Sequence, residues 1–201
     1  MSAIPGRVVI ATRNPDKAAE MVAVLAATAP HIEVIAGAEW PEVEETGATL
    51  EENALLKARA VAAATGHPAL ADDTGLEVDF LDGRPGVHTA RFAGPDATYA
   101  GNRAALLDAL EGVGDRRARF RTVIALVDGS GTEIVAEGVL EGRIATEERG
   151  EGGFGYDPVF EVGGRTLSEI GEDEKNRISH RALALEALAR MLAGTGPSPA
   201  A

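Results

Sequence analysis

The chain has 201 residues, 45% of them hydrophobic, and carries 32 acidic against 19 basic side chains, a net charge of −13. That length suits one sizeable domain or two closely joined lobes. The charge repels polyanions, which argues against nucleic-acid binding but leaves room for a small anion in a local basic pocket. No run of eighteen apolar residues is present to span a membrane, and there is no cysteine for disulfides or thiolate chemistry. The N-terminal stretch MSAIPGRVVIAT lacks a basic segment followed by a long apolar one, so no secretory leader is expected and a cytoplasmic location is. Residues 7–12 (RVVIAT) read as a short apolar strand. Asn14 reads as an N-cap with Pro15 at the first helical position, opening a helix over residues 15–27. Residues 32–36 read as a second strand and 39–48 (EWPEVEETGA) as an acidic loop. Thr49-x-x-Glu52 is a capping box for a helix that Gly66 ends. Residues 69–71 read as a short strand running into Asp72-Asp73-Thr74-Gly75; residues 76–81 extend again, and 82–86 turn. A helix is expected over 98–110 and two long strands over 118–127 and 133–145, joined at Asp128-Gly129-Ser130-Gly131. A strand near 158–162 and a helix over 180–193 with Ser179 as N-cap complete the order, and residues 195–201 (TGPSPAA) read as a disordered tail. Hairpins and crossover helices together predict an α/β fold with a mixed sheet.

Gly150, Gly152 and Gly155 match G-x-G-x-x-G, the dinucleotide fingerprint. That pattern needs a helix after it, and Pro158 with Val159 and Phe160 predicts a strand instead. What remains is EGGFGYDPVF (151–160), which holds three of the chain's eight aromatic rings in a segment too rich in glycine for ordinary core.

Four other segments carry residues suited to chemistry. At Thr12-Arg13-Asn14-Pro15-Asp16-Lys17 a strand meets a helix N-terminus, where backbone N–H groups and the dipole favour phosphate. No P-loop occurs, and an ordinary capped helix with a surface lysine fits the same residues. Glu44 and Glu45 suit either a cation or a solvated surface. Asp72 and Asp73 repel each other unless a positive group is near, which suits Mg²⁺ held by one or two carboxylates and substrate phosphates; an Asx-type turn fits them as well. Asn53 and Lys57 share a helix face, from which the lysine either reaches a pocket or snorkels. His180 and Arg181 sit at a helix start, where cations oppose the dipole and a bound ligand would compensate. His31, His67 and His88 show no metal-ligand spacing, which excludes zinc.

The order of these segments is more specific than any one of them. ATxNxxK, EETGxTxxENAxxKA, ADDTGL, GGFGYDPVF and EKNxISHRxxAL, spread over residues 11–185, resemble the noncanonical purine nucleoside triphosphate pyrophosphatases, the inosine/xanthosine triphosphatase or HAM1-like family. Arg13 and Asp16 stand where that family often has small residues, and Thr74 where it more often has serine. The resemblance implies an α/β fold of ITPase type, a mixed twisted sheet with flanking helices in two lobes around a central cleft. It makes residues 1–194 a single two-lobed nucleotide pyrophosphatase domain that forms a homodimer. It implies Mg²⁺-dependent hydrolysis of ITP, dITP and XTP to a nucleoside monophosphate and pyrophosphate, which cleanses the nucleotide pool. Residue by residue, it puts Phe154 on the purine and Asp157 in the base pocket, with Gly155 and Tyr156 beside them. It assigns Thr12, Arg13, Asn14, Pro15, Asp16, Lys17, Asn53, Lys57, Thr74 and Lys175 to substrate binding, with Thr12, Asn14, Lys17, Lys57 and Lys175 at phosphate oxygens. His180 and Arg181 are assigned as donors to the base. Glu45 and Asp73 would hold Mg²⁺, and Asp73 would orient or deprotonate the attacking water, with Asp72 as the alternative for both roles. Two rivals are a non-catalytic nucleotide sensor, which has little use for paired carboxylates, and a Maf-like pyrophosphatase for modified pyrimidine nucleotides, against which the FGYD and SHR segments argue.

Overall fold

The computed structural model describes residues 6–194, so the tail expected over residues 195–201 lies outside the described residues. The fold is mixed α/β. Eight strands form one sheet in the order β2-β1-β3-β5-β6-β7-β8, with β4 paired to β3. The chain divides into two compact units. Among the described residues the first takes 6–73, Thr122–Gly138 and 180–194; the second takes Thr74–Arg121 and Val139–Ser179.

In the first unit, β1 (Arg7–Ile10) runs parallel to both β2 (Glu33–Val34) and β3 (Ala69–Val78). Between β1 and β2 lies α1 (Pro15–Thr28), started as expected by Asn14, whose side chain accepts from the backbone of Asp16 and Lys17. Next comes α2 (Leu50–Thr65), where both halves of the Thr49/Glu52 capping box are formed. Gly66 stops it in the left-handed conformation that side chains resist. The core of this unit joins Val8, Ile10, Leu70, Ile124 and Leu126 to Met21, Val24 and Leu25 of α1 and to Leu185 and Leu188 of the last helix. Each such buried aliphatic side chain contributes about 1.5–3 kcal/mol.

The second unit has its own core, including Leu76, Leu106, Phe120, Ile144, Phe160 and Leu167. It contains the antiparallel partner β4 (Pro85–Gly86), then α3 (Tyr99–Ala109) with Thr98 as N-cap. The long strands β5 (Arg117–Val127) and β6 (Glu133–Ile144) contribute to both units, and their connecting turn is tied by Asp128, which accepts from the backbone of Ser130 and Thr132. β7 (Phe160–Val162) and β8 (Arg165–Thr166) follow antiparallel, then α4 (Glu172–Ile178) and, in the first unit, α5 (His180–Leu192).

Several sequence expectations change. The strand expected over 32–36 is two residues long. β3 does not break at Asp72-Asp73-Thr74-Gly75 but runs through it, so the Asx-turn reading fails; residues 79–81 form a 3-10 turn instead of extending. The short helix α4 was not expected, and Ser179 is the extended residue after it, with its N–H closing α4 on the carbonyl of Lys175. Among the described residues no helix is long and apolar enough to cross a membrane.

Candidate active site

The alternation of a strand turns Asp72 and Asp73 to opposite faces of β3. Each meets a different set of cations. Asp72 is buried and accepts from the Nε and Nη2 of Arg181 at 3.1 Å, while Lys17 Nζ lies 3.3 Å from the same carboxylate oxygen. Another guanidinium nitrogen of Arg181 donates to Glu20, also buried, one turn beyond Lys17 on α1. Burial pushes the Asp72 proton affinity up, but Lys17 and Arg181 outweigh it and hold the carboxyl well below the usual range. Burial likewise opposes the charge of Arg181, and Asp72 and Glu20 restore it. The Arg181 cation at the start of α5 is therefore compensated by the chain's own carboxylates. Arg181, expected as a donor to the base, has its guanidinium engaged by Asp72 and Glu20 and is 1% exposed. His180 is also buried, with Nδ1 2.5 Å from the Thr122 hydroxyl.

Asp73 faces α2. It accepts from Asn53 Nδ2 at 3.2 Å, and Lys57 Nζ is 3.4 Å from its other oxygen. The same ammonium lies 2.6 Å from Glu45. Asn53 works in two directions, since its Oδ1 accepts from the N–H of Gly47 in the acidic loop. The acidic loop is thus pinned to the helix that holds Lys57. Burial raises the proton affinity of Asp73, and Glu45 adds to this; Lys57 and Lys17 oppose it without prevailing. Burial also works against the charge of Lys57, but Asp73, Asp72 and Glu45 together keep its ammonium firmly protonated.

At the β1–α1 junction the Asn14 side chain takes the N–H groups of Asp16 and Lys17, so the cap uses donors expected to face phosphate. Thr12 Oγ1 accepts from Asn14 N, and Arg13 donates to the carbonyl of Trp40. Pro15 and Asp16 are exposed. Thr74 follows on β3 as the first residue of the second unit, half-buried.

In the second unit the glycine-rich loop folds around Asp157. The carboxylate accepts from Phe154 N at 2.8 Å and Lys175 Nζ at 2.6 Å. The Lys175 ammonium also sits 4.5 Å from the centre of the Phe154 ring, a cation–π contact. Gly153 has φ +74°, and a Cβ there would run into the Asp157 side chain, so this bend demands glycine. Lys175, read as a phosphate ligand, is committed here to Asp157 and Phe154. Tyr156, read as a pocket wall, is core: it is buried, and its hydroxyl donates to the carbonyl of Thr89. Phe160 is core too, its ring 4.5 Å from that of Phe120.

The sequence reading missed Glu20, whose one signal was a carboxylate three residues after Lys17 beside the apolar Met21 and Val24. It also missed Tyr99 and Arg103 of α3. The Tyr99 ring centre is 6.3 Å from that of Phe154, and Arg103 donates to the carbonyl of Gly155.

The model of the Ham1 family matches residues 8–191. This chain belongs to the Ham1 family. A dITP/XTP pyrophosphatase of Elusimicrobium minutum is 48% identical to this Ham1 chain over 92% of its length and 99% of the relative's. The structure of a HAM1 protein from Coxiella burnetii superimposes with a TM-score of 0.83 at 44% identity, covering 94% of this chain and 98% of that one. A dITP/XTP pyrophosphatase from Mycobacterium abscessus gives 0.71 at 43%, covering 90% and 98%.

Among the described residues of this Ham1 chain no three His, Cys, Asp or Glu side chains gather into a metal cage. Glu45 and Asp73 nevertheless present hard oxygen donors to one point, where the Lys57 ammonium now lies. Two carboxylates around one cation position fit Mg²⁺, which takes few protein ligands and completes its shell from water and phosphate.

Proposed function

We propose that this chain hydrolyses noncanonical purine nucleoside triphosphates, namely ITP, dITP and XTP, to the nucleoside monophosphate and pyrophosphate, and so cleanses the nucleotide pool. The observation that carries the reading is the Glu45–Lys57–Asp73 arrangement, two carboxylates and an ammonium held on one side of β3 by Asn53. The names of the relatives, dITP/XTP pyrophosphatase, support the substrate class.

In this reading Asp73 orients the attacking water and takes its proton. Its raised proton affinity suits a base better than that of Asp72, which lies far below neutrality and is engaged by Arg181 and Lys17. The water oxygen bonds to the α-phosphorus as the bond to the bridging oxygen of pyrophosphate breaks. Lys17 and Lys57 offset charge on the phosphate oxygens, and Thr12 and Asn14 shape the approach. Glu45 and Asp73 would hold Mg²⁺, which would supply Lewis-acid stabilisation of the leaving pyrophosphate. Asp72 serves by anchoring Lys17, and Arg181 by anchoring Asp72. In the second unit Phe154 offers its ring to the purine, with Asp157 and Lys175 fixing that ring and supplying polar contacts to the base. The protein acts in the cytoplasm as a homodimer; light scattering on the purified chain checks the dimer.

The deciding experiment is a nucleoside triphosphate panel with Mg²⁺ and pyrophosphate detection. ITP, dITP and XTP are expected to be cleaved far faster than ATP, GTP or a modified UTP. Equal turnover of ATP and ITP would sink the house-cleaning role, and pyrimidine preference would return the Maf-like reading.

A further inference from the structure

The loop that carries Phe154 is rich in glycine. Gly150, Gly153 and Gly155 all have positive φ, a conformation glycine enters freely and leaves as freely. Asp157 and Lys175 hold the start of the loop at Phe154, and a second hold is needed at Gly155 beyond it. Helix α3 supplies it. Tyr99 and Arg103 are four residues apart, hence on one face of the helix. The Tyr99 ring lies beside the Phe154 ring, and Arg103 Nη1 donates to the carbonyl of Gly155 at 2.9 Å. Arg103 Nε also lies 3.0 Å from Glu148, whose side chain is 43% exposed.

The helix itself is well fixed. Asn102, 2% exposed, donates to the carbonyl of Ala90 and accepts from Ala93 N. At the other end the buried guanidinium of Arg116 donates to Leu110, Ile144 and Ala145 carbonyls, a cation placed where the helix dipole favours it.

The geometry points to Arg103 as a positioning residue for purine affinity: anchored on α3, it holds the Gly155 carbonyl and so keeps Phe154 presented to the base. This rests on the reading of Phe154 as the purine platform. Arg103 touches neither phosphate nor the Asp73 carboxylate in this account, so its loss acts on KM and leaves kcat alone.

The test uses the full chain with Arg103→Ala, Arg103→Lys, Glu148→Gln, Phe154→Ala and the Arg103→Ala/Phe154→Ala double variant. Steady-state kinetics on ITP are combined with hydrogen–deuterium exchange over residues 150–157. Arg103→Ala is expected to raise KM about tenfold, the order of one charge-assisted hydrogen bond, with kcat within about twofold. Exchange of the loop amides should rise. Arg103→Lys, which keeps a cationic donor, should recover part of the KM. Glu148→Gln should change KM less than about twofold, because the Glu148 end of the pair is exposed and Arg103 keeps its bond to the Gly155 carbonyl. In the Phe154→Ala background Arg103→Ala should add almost nothing, since both act through the same ring. Unchanged loop exchange in Arg103→Ala overturns the proposal, as does a fall in kcat at constant KM or full additivity in the double variant. A wild-type KM in Phe154→Ala with raised exchange in Arg103→Ala would instead overturn the platform reading, and the KM role of Arg103 with it.

Discussion

Asp72 and Asp73 are adjacent and chemically identical, yet burial and partners pull their proton affinities apart. The folded-state pKa of Asp72 is depressed, so its contribution to stability is present above the ordinary carboxylate pKa, about 3.9, and is lost only as pH falls towards its folded value. Asp72→Asn leaves Arg181 and Lys17 short of a counter-charge and is expected to cost about 3–5 kcal/mol at pH 7, read by denaturant unfolding. Asp73 is the reverse. Its folded pKa is raised, so stability falls as pH rises from the ordinary value through the folded one, and ionised Asp73 is a net cost at neutrality. Asp73→Asn should therefore raise the thermal midpoint at pH 7 while lowering kcat about 100-fold or more. Wild-type turnover in that variant would remove Asp73 from the mechanism. Both aspartates were legible in the sequence as chemistry-bearing; their division of labour was not. Reading residues 72–75 as a turn hid the strand alternation that separates them. The partners of Arg181 lie 109 and 161 residues away in the chain, beyond any local pattern.

The best-read elements are those whose ends carry their own chemistry. Asn14 with Pro15, Thr49 with Glu52, and Thr98 each announce a helix start by satisfying N–H groups that the helix cannot. The seven-residue α4 has no side-chain cap, and its acidic first turn looks like solvated surface, so it was missed. β3 was underestimated because Asp72, Asp73 and Gly75 have poor strand propensity, which tertiary ion pairing overrides. The α2 cap also bears on the site. Glu52 accepts from Ala48 and Thr49 N–H, next to the Gly47–Asn53 bond that holds the acidic loop. Thr49→Ala should cost about 1 kcal/mol in denaturant unfolding. In the glycine-rich loop, Gly153→Ala combines a left-handed backbone with a clash at Asp157, and its KM for ITP is expected to rise with the fold intact by circular dichroism.

Each compact unit is assembled from separated stretches of chain, three for the first and two for the second. Periodicity along the sequence finds strands and helices but does not say which stretches gather around one core; the family resemblance implied two lobes without assigning any stretch of chain to either. On the proposed function, the net charge of −13 means that a tetra-anionic triphosphate would owe its attraction to local lysines and an accompanying cation. Attack on the α-phosphorus predicts that hydrolysis in ¹⁸O-water labels the monophosphate and leaves pyrophosphate unlabelled by mass spectrometry. Label in pyrophosphate would mean a different phosphorus is attacked.

The unbroken run of β3 through Asp72 and Asp73 also limits how this stretch can be edited. In a loop, an added residue is absorbed by bulging outward. In a paired strand, one residue inserted between Ala69 and Asp72 turns every later side chain to the other face. Asp72 would then take the place beside Lys57, while Asp73 would land two residues along the strand from the place beside Arg181, which would be left without its carboxylate. Sequence length here is therefore part of the wiring: substitutions can be sampled one at a time, whereas a single-codon insertion or deletion moves both carboxylates off their partners at once.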